Sequence, residues 1–138
     1  MVRSLWHYTC DHGRQALGQS GTLLPISLLD KDARDKLPDY LKMLAAVIWF
    51  TDLAVPQVEA LGLTMNTISC DRTKYRYRAI STYSIGRYTS ARPSWVWNKQ
   101  LCAELKGVPG AKPEHWWIAY GPIPVIYDPI KQPIRRSA

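Results

Sequence analysis

The residues of this sequence best suited to chemistry stand on a short segment near its beginning, Leu5-Trp6-His7-Tyr8-Thr9. The pattern predicts a β-strand, and the side chains of a strand alternate between its two faces. Leu5, His7 and Thr9 then share one face, and Trp6 and Tyr8 share the other. The imidazole and the hydroxyl therefore point to the same side, where they could bind a polar ligand together.

A brief helix and a glycine turn follow this strand. The helix is predicted over residues 13–17, and Gly21 marks a turn into a second apolar segment, Thr22-Leu23-Leu24-Pro25. This order of strand, helix and turn is expected to place the polar side chains of the first strand at a rigid edge.

Length and composition predict a single globular domain. The chain has 138 residues, which is enough to form a hydrophobic core without the help of disulfides or bound metals, and 46% of the residues are hydrophobic. Its aromatic residues are unusual, with six Trp and eight Tyr against one Phe. Trp and Tyr carry a polar group and favour half-buried surfaces, so we expect a face that contacts a ligand or a partner.

The charge and cysteine content predict a cytoplasmic protein with acidic partners. The formal net charge of +7 favours nucleic acid, nucleotides, phosphates or an acidic protein, although it could also serve solubility alone. Cys10, Cys70 and Cys102 are an odd number at wide spacing, which is typical of reduced thiols. The sequence shows neither a membrane-spanning apolar run nor a signal peptide.

A basic segment in the middle of the chain predicts a second strand with a charged face. In the run from Lys74 to Ile80, alternation places Lys74, Arg76 and Arg78 on one side. This row of cations could bind phosphate, or it could be the solvated face of an edge strand.

The remaining segments predict an α+β domain built on a mixed or antiparallel sheet. Prolines in the last strand favour a position at the edge of that sheet. The predicted elements are helical pieces over 28–46, a buried strand over 45–51, a helical turn over 56–61, a loop over 81–93, a helix from 93 to 107, and strands over 115–120 and 123–127.

The opening resembles that of the ADP-ribosyltransferase superfamily, particularly its small DarT-like and uncharacterised bacterial and phage branches. Leu5, His7 and Thr9, followed by Leu17 and by Gly21-Thr22-Leu23, match the pattern L-x-H-x-T, then I-x-x-x-G-x-L. The resemblance covers some 25 residues. Later, Trp49-Phe50-Thr51 resembles a strand that is frequent in those proteins.

This resemblance implies a split, strongly bent antiparallel sheet that binds NAD. His7 is then expected to contact the ribose of the adenosine half. Tyr8, Thr9 and Thr51 complete the expected cofactor-binding set on the strands, with Arg76 near the pyrophosphate.

The resemblance also implies a carboxylate and an arginine in the active site. Glu114, which stands just before a late strand, is the expected catalytic carboxylate, because cleavage of a glycosidic bond builds positive charge on the ribose. Arg72 is the expected catalytic arginine, and Arg76 is an alternative to it. The sequence contains neither an S-T-S motif nor an E-x-E pair.

Two functions of different classes remain open at this point. The first is an enzyme that transfers ADP-ribose from NAD to protein, DNA or RNA. The second is a catalytically inactive protein of the same fold, a phage or mobile-element factor that binds nucleic acid or a host protein through a basic, aromatic surface. A metal site is a weaker alternative. His7, Cys10 and His12 could supply three ligands, and Cys70, Cys102 or His115 could supply the fourth, but paired ligand motifs are missing and no metal is expected.

Overall fold

The computed structural model describes residues 4–18, 20–25, 35–36, 46–55, 73–91, 99–107 and 110–130. The strands in these ranges are β1 (Trp6–Thr9), β2 (Thr22–Leu23), β3 (Ile48–Thr51), β4 (Tyr75–Ala79), β5 (Gly86–Arg87), β6 (Trp116–Ala119) and β7 (Ile123–Tyr127). The helices are α1 (Asp11–Leu17), α2 (Tyr88–Ala91) and α3 (Lys99–Gly107), and a 3-10 turn over Pro113–His115 precedes β6.

The seven strands form one antiparallel sheet in the order β2-β7-β4-β1-β3-β6-β5. The strand that carries His7 therefore lies at the centre of the sheet. An α+β domain with an antiparallel sheet is confirmed, as are the strands predicted around Leu5–Thr9 and Lys74–Ile80. The predicted helix over 28–46, except for residues 35, 36 and 46, and the predicted turn over 56–61 lie outside the described residues.

The expectation that the last strand lies at the sheet edge is wrong, because β7 pairs with β2 on one side and β4 on the other. Pro124 lacks an N–H group, yet it stands just beyond Ala79–Val125, the last pair of the β4–β7 ladder. Its carbonyl still accepts a hydrogen bond from the Ile80 N–H at 3.0 Å. A proline is tolerated inside the sheet here because the neighbouring ladder has already ended.

The expectation of a loop over residues 81–93 is also incorrect in its middle part. Gly86 and Arg87 pair with β6 as the edge strand β5, and Tyr88 begins α2 with its side chain buried. The polar composition of this segment concealed a short strand whose burial depends on the aromatic residues of β6.

The sheet is strongly bent. Three residues join Ala119, the end of β6, to Ile123, the start of β7, although β4, β1 and β3 lie between these strands. In a flat sheet the two strands would lie about 19 Å apart. The connection can span at most about 15 Å. Because Ala119 and Ile123 are buried in the same core, the two halves of the sheet fold toward each other.

Each face of the sheet carries its own hydrophobic core. The concave side, which we call the His7 face, holds a core of Leu5, Leu17, Leu23, Ile48, Phe50, Tyr77, Ala79, Ile85, Ala119, Ile123 and Val125. The opposite side, the Trp6 face, holds Val47, Tyr88, Leu105, Trp116 and Ile118, with Trp49 packed against them. Alternation along β1 thus separates the side chains as the sequence predicted.

Candidate functional site

The sheet has a seam between β1 and β3, next to His7. β1 makes four residue pairs with β4, and β3 makes four with β6, but the described register between β1 and β3 consists of Trp6 opposite Thr51. Beyond that pair, Nδ1 of His7 lies 2.7 Å from the backbone oxygen of Trp49. A carbonyl oxygen can only accept, so Nδ1 carries the proton and the imidazole bridges the parting strands.

Aromatic and cationic side chains continue from His7 across the other half of the sheet. The His7 ring meets the Phe50 ring edge to face, with centroids 5.9 Å apart. Phe50 pairs with Trp117, and Trp117 pairs with Arg87 on the edge strand. The Arg87 guanidinium stacks on the Trp117 indole, its central carbon 4.7 Å from the ring centroid. These neighbours form a strip on the His7 face, in which His7, Trp117 and Arg87 are half-buried and Phe50 is buried.

A buried carboxylate and an imidazole stand at one end of this strip. Nδ1 of His115 lies 2.6 Å from one oxygen of Asp52, and the indole N–H of Trp117 donates to the other oxygen at 3.2 Å. The Asp52 side chain is 6% exposed, and that of His115 is 34% exposed. A carboxylate bound to Nδ1 fixes the ring and leaves Nε2 as its proton-accepting nitrogen, which is the arrangement of a general base.

Thr9 lies on the His7 face under the first helix. A Cβ atom added to Gly13 would collide with Oγ1 of Thr9 and would lie 2.9 Å from its Cβ. The absence of a side chain at Gly13 therefore lets α1 pack directly on the end of β1. The helix holds the Thr9 hydroxyl close to the backbone.

Tyr8 and Thr51 lie on the other side of the sheet, away from His7. The Tyr8 hydroxyl donates to the Leu53 carbonyl at 2.8 Å, and Oγ1 of the buried Thr51 accepts the Leu53 N–H at 3.1 Å. Burial raises the pKa of the Tyr8 hydroxyl, and the nearby Arg76 opposes this effect. Both side chains hold the segment after β3, and the structure does not bring them together with His7.

Arg76 is buried on the Trp6 face. Its guanidinium donates to the carbonyls of Ala54 at 2.6 Å, Asp128 at 2.8 Å and Pro129 at 3.3 Å. It also pairs with the Asp128 carboxylate at 3.1 Å and lies over the Trp6 ring. The Trp6 indole donates to the same carboxylate at 2.8 Å. The interpretation of the basic strand as a solvated face is therefore wrong at Arg76, whose guanidinium binds its own chain.

Glu114 is exposed on the 3-10 turn and lines an open pocket of about 540 Å³. The pocket is shared with Tyr88 and Cys102, which pack in or against the core of the Trp6 face. The structure thus places the Glu114 side chain with the Trp6 face and His7 on the opposite face. Arg72, the other expected catalytic residue, lies outside the described residues.

Sequence reasoning missed Asp52, His115, Trp117 and Arg87 as a group. None of the four stands in a recognisable sequence motif, and they come together only through the register of β3, β6 and β5. One signal was present: Asp52 and His115 each stand at the end of an apolar strand. Among the residues in the described ranges, no group of three His, Cys, Asp or Glu side chains could hold a metal ion.

Comparison of the chain with protein-family models, curated proteins and solved structures finds no match. The class that fold and site define is a small α+β domain with a cluster of imidazole, carboxylate and guanidinium groups on a bent sheet, in which the carboxylate is buried and the imidazole is partly exposed. None of the helices within the described ranges is long and apolar enough to cross a membrane.

Proposed function

We propose that this protein binds NAD on the His7 face and transfers ADP-ribose to an acceptor. The observation that carries the proposal is the seam at His7, where β1 parts from β3 and an imidazole bridges the gap. A sheet that divides beside a histidine on its central strand is the arrangement implied by the resemblance of the opening motif. His7 would contact the ribose of the adenosine half, as the resemblance implies.

The strip beside His7 supplies groups that a dinucleotide needs. Trp117 is a half-buried aromatic surface, and Arg87 holds a positive charge against its indole, whereas Phe50 is buried in the core next to the His7 ring. Thr9 lies on the same face, whereas Tyr8, Thr51 and Arg76 are engaged on the other. The proposal therefore keeps His7 and Thr9 as NAD-binding residues and gives the other three structural roles.

The chemical step requires a proton acceptor for the incoming nucleophile. In the proposal, an oxygen or nitrogen of the acceptor bonds to the anomeric carbon of the ribose as the bond to nicotinamide breaks. The electron pair of that bond leaves with nicotinamide, and the acceptor's proton moves to Nε2 of His115. Asp52 stabilises the imidazolium that forms, in the way a buried carboxylate supports a histidine base.

Glu114 is the less suitable carboxylate for this step because it belongs to the pocket of the Trp6 face. The net charge of +7 suits an acidic acceptor, DNA, RNA or an acidic host protein, in the cytoplasm.

The test is to incubate the purified protein with NAD labelled in its adenosine half, with DNA, RNA or cell lysate as acceptor. We expect label transfer by the wild type and its loss in His7→Ala and His115→Gln. Glu114→Gln, an exposed charge on the other face, serves as the matched control and should keep activity. Failure of the wild type to consume NAD would overturn the proposal. Loss of label transfer in Glu114→Gln alone would identify Glu114 as the catalytic carboxylate, as the resemblance implies.

A second candidate is a catalytically inactive binder of nucleic acid. It is favoured by the engagement of both Asp52 oxygens, because neither is free to meet a ribose cation directly. The basic strand gives it little support, since Lys74 pairs with Asp11 and Arg78 lies 3.8 Å from Asp128. Nucleic-acid affinity that falls steeply with salt, without NAD consumption, would identify this alternative.

A further inference from the structure

Arg14 is held between two tyrosine rings on the His7 face. Its guanidinium carbon lies 4.6 Å from the ring centroid of Tyr75 and 4.5 Å from that of Tyr127. The two rings are tilted by 59°, with centroids 6.3 Å apart, and belong to β4 and β7. Arg14 reaches them because Gly13 lets α1 lie close on the end of β1.

Stacking fixes the guanidinium but uses none of its hydrogen-bond donors. A guanidinium contacts aromatic rings through its flat faces, and its N–H groups point outward in its plane. Within the described part of the chain, these donors form no ion pair. Asp11, three residues earlier on the same helix, binds the Lys74 ammonium at 2.9 Å and the Tyr75 hydroxyl at 2.7 Å.

Among the described side chains that border Arg14 and its two tyrosines, positive charge is in excess. Lys74 and Asp11 compensate each other, which leaves the Arg14 charge in excess. The Lys74 ammonium also lies 5.5 Å from the Tyr75 ring, so both cations border the same tyrosine. An immobilised planar fork of donors with excess positive charge is suited to a phosphate group.

We propose that Arg14 binds the phosphate groups of a nucleoside diphosphate lying on the His7 face. His7 pairs with Tyr77, and Tyr77 pairs with Tyr127, whose ring supports Arg14. Two strand spacings, about 10 Å, therefore separate the histidine strand from the strand beneath Arg14. A ribose at His7 and phosphates at Arg14 would be bridged by one nucleotide.

The proposal deepens the NAD-binding part of the proposed function and does not depend on ADP-ribose transfer. It assigns to Arg14 the phosphate contact that the resemblance implied for Arg76, whose guanidinium binds backbone carbonyls in the structure. A protein that binds ADP without consuming NAD would still use this site.

The test measures the binding of ADP, pyrophosphate and adenosine to the intact protein by calorimetry. We expect Arg14→Gln to weaken ADP and pyrophosphate about tenfold or more while leaving adenosine unchanged, since a charge-assisted bond is lost. Arg14→Lys should not restore affinity, because it keeps the charge and loses the planar fork. Arg78→Gln removes one exposed arginine charge from the other face and is the matched control.

A second variant separates binding from packing. Tyr127→Leu removes one ring that holds Arg14 and should also weaken ADP binding, although Arg14 itself remains. If the stacked arginine serves stability alone, Arg14→Gln and Tyr127→Leu will lower the melting temperature and leave ADP affinity unchanged, which would overturn the proposal. Absence of ADP binding by the wild type, or an equal loss in Arg78→Gln, would overturn it as well.

The outcomes distinguish this inference from the proposed function. NAD consumption with ADP affinity independent of Arg14 would leave the enzyme proposal standing and reject the phosphate site. ADP binding through Arg14 without NAD consumption would support the phosphate site and reject the enzyme proposal.

Discussion

Arg76 and Asp128 form a partly buried ion pair, in which a guanidinium nitrogen lies 3.1 Å from a carboxylate oxygen. The same guanidinium donates to three backbone carbonyls, including that of Asp128 itself. The pair thereby fastens the segments after β3 and β7 to the Trp6 face of β4. Its role is to hold strands and loops together on the face opposite His7.

Replacing Arg76 should therefore lower stability far more than replacing its neighbour Arg78. Arg76→Gln breaks the ion pair with Asp128 and removes the donor of three backbone hydrogen bonds, and we expect a loss of about 3 kcal/mol in the free energy of unfolding. Arg78, 44% exposed and 3.8 Å from Asp128, should contribute less than about 1 kcal/mol. Urea unfolding of both glutamine variants measures the difference, and equal losses would contradict this account.

The decrease in the free energy of unfolding at acidic pH should depend on Asp128. Partial burial opposes ionisation, but the bond from Trp6 and the charges of Arg76 and Arg78 prevail and lower the pKa of this carboxyl. A lowered folded-state pKa stabilises the protein above the unfolded value of about 3.9, and that contribution is lost as the pH falls through the folded-state value. The difference in unfolding free energy between wild type and Asp128→Asn should be constant near neutral pH and shrink below about pH 4. A difference independent of pH down to pH 2 would refute the linkage.

Gly13 should not tolerate a side chain. Gly13→Ala forces the new methyl group against Thr9, and we expect a loss of about 1–3 kcal/mol in thermal or urea unfolding. Gly107→Ala is the matched control, because an added Cβ there meets no atom within 4 Å, and it should be neutral or slightly stabilising. Adding Thr9→Ala to Gly13→Ala should recover part of the loss. Equal stability of both alanine variants would contradict the close packing of α1 on β1.

Asp52 should set the tautomer of His115. In the wild type, the neutral ring is expected to carry its proton on Nδ1, facing the carboxylate. In Asp52→Asn, the amide oxygen must accept from Trp117, which can only donate, so the amide NH₂ faces Nδ1 and the ring proton moves to Nε2. Nitrogen NMR of the imidazole reports this exchange, with Glu114→Gln as the variant that should show no change. An unaltered tautomer in Asp52→Asn would show that another group orients the ring.

Much of the fold could be predicted because period-two alternation survives wherever one face of a strand is buried. The runs around His7 and Tyr77 show it, and each is a strand in the structure. The run around Ile118 is instead continuously apolar, which is typical of a strand with buried residues on both faces, as β6 is. Gly86 and Arg87 could not be recognised, since a two-residue edge strand is defined by pairing with β6 and has no periodicity of its own. The predicted edge position of β7 was wrong because a proline is excluded from a sheet only where its missing N–H would have to bond to a neighbouring strand. At Pro124 the ladder with β4 has already ended.

The candidate site was less accessible to sequence reasoning because its members meet through long-range register. Asp52 and His115 lie 63 residues apart and meet only when β3 pairs with β6. Arg76 looked like a solvent-facing cation because alternation shows which residues share a face and does not show what covers that face. The carbonyls that bury it come from Ala54, Asp128 and Pro129, far along the chain.

The hydrogen bond from Trp6 to Asp128 also bears on how the molecule forms during synthesis. It joins residues 122 positions apart, and β2 likewise pairs with β7, about 100 residues further along the chain. Contacts of such wide separation slow folding, because a long loop must close before any of them is made. In a nascent chain that ends before residue 123, β7 is missing. The half of the sheet that carries His7 then consists of β1 and β4 without the strand that pairs with β4 on its other side. We therefore expect the protein to gain protease resistance and ligand affinity together, after β7 has left the ribosome.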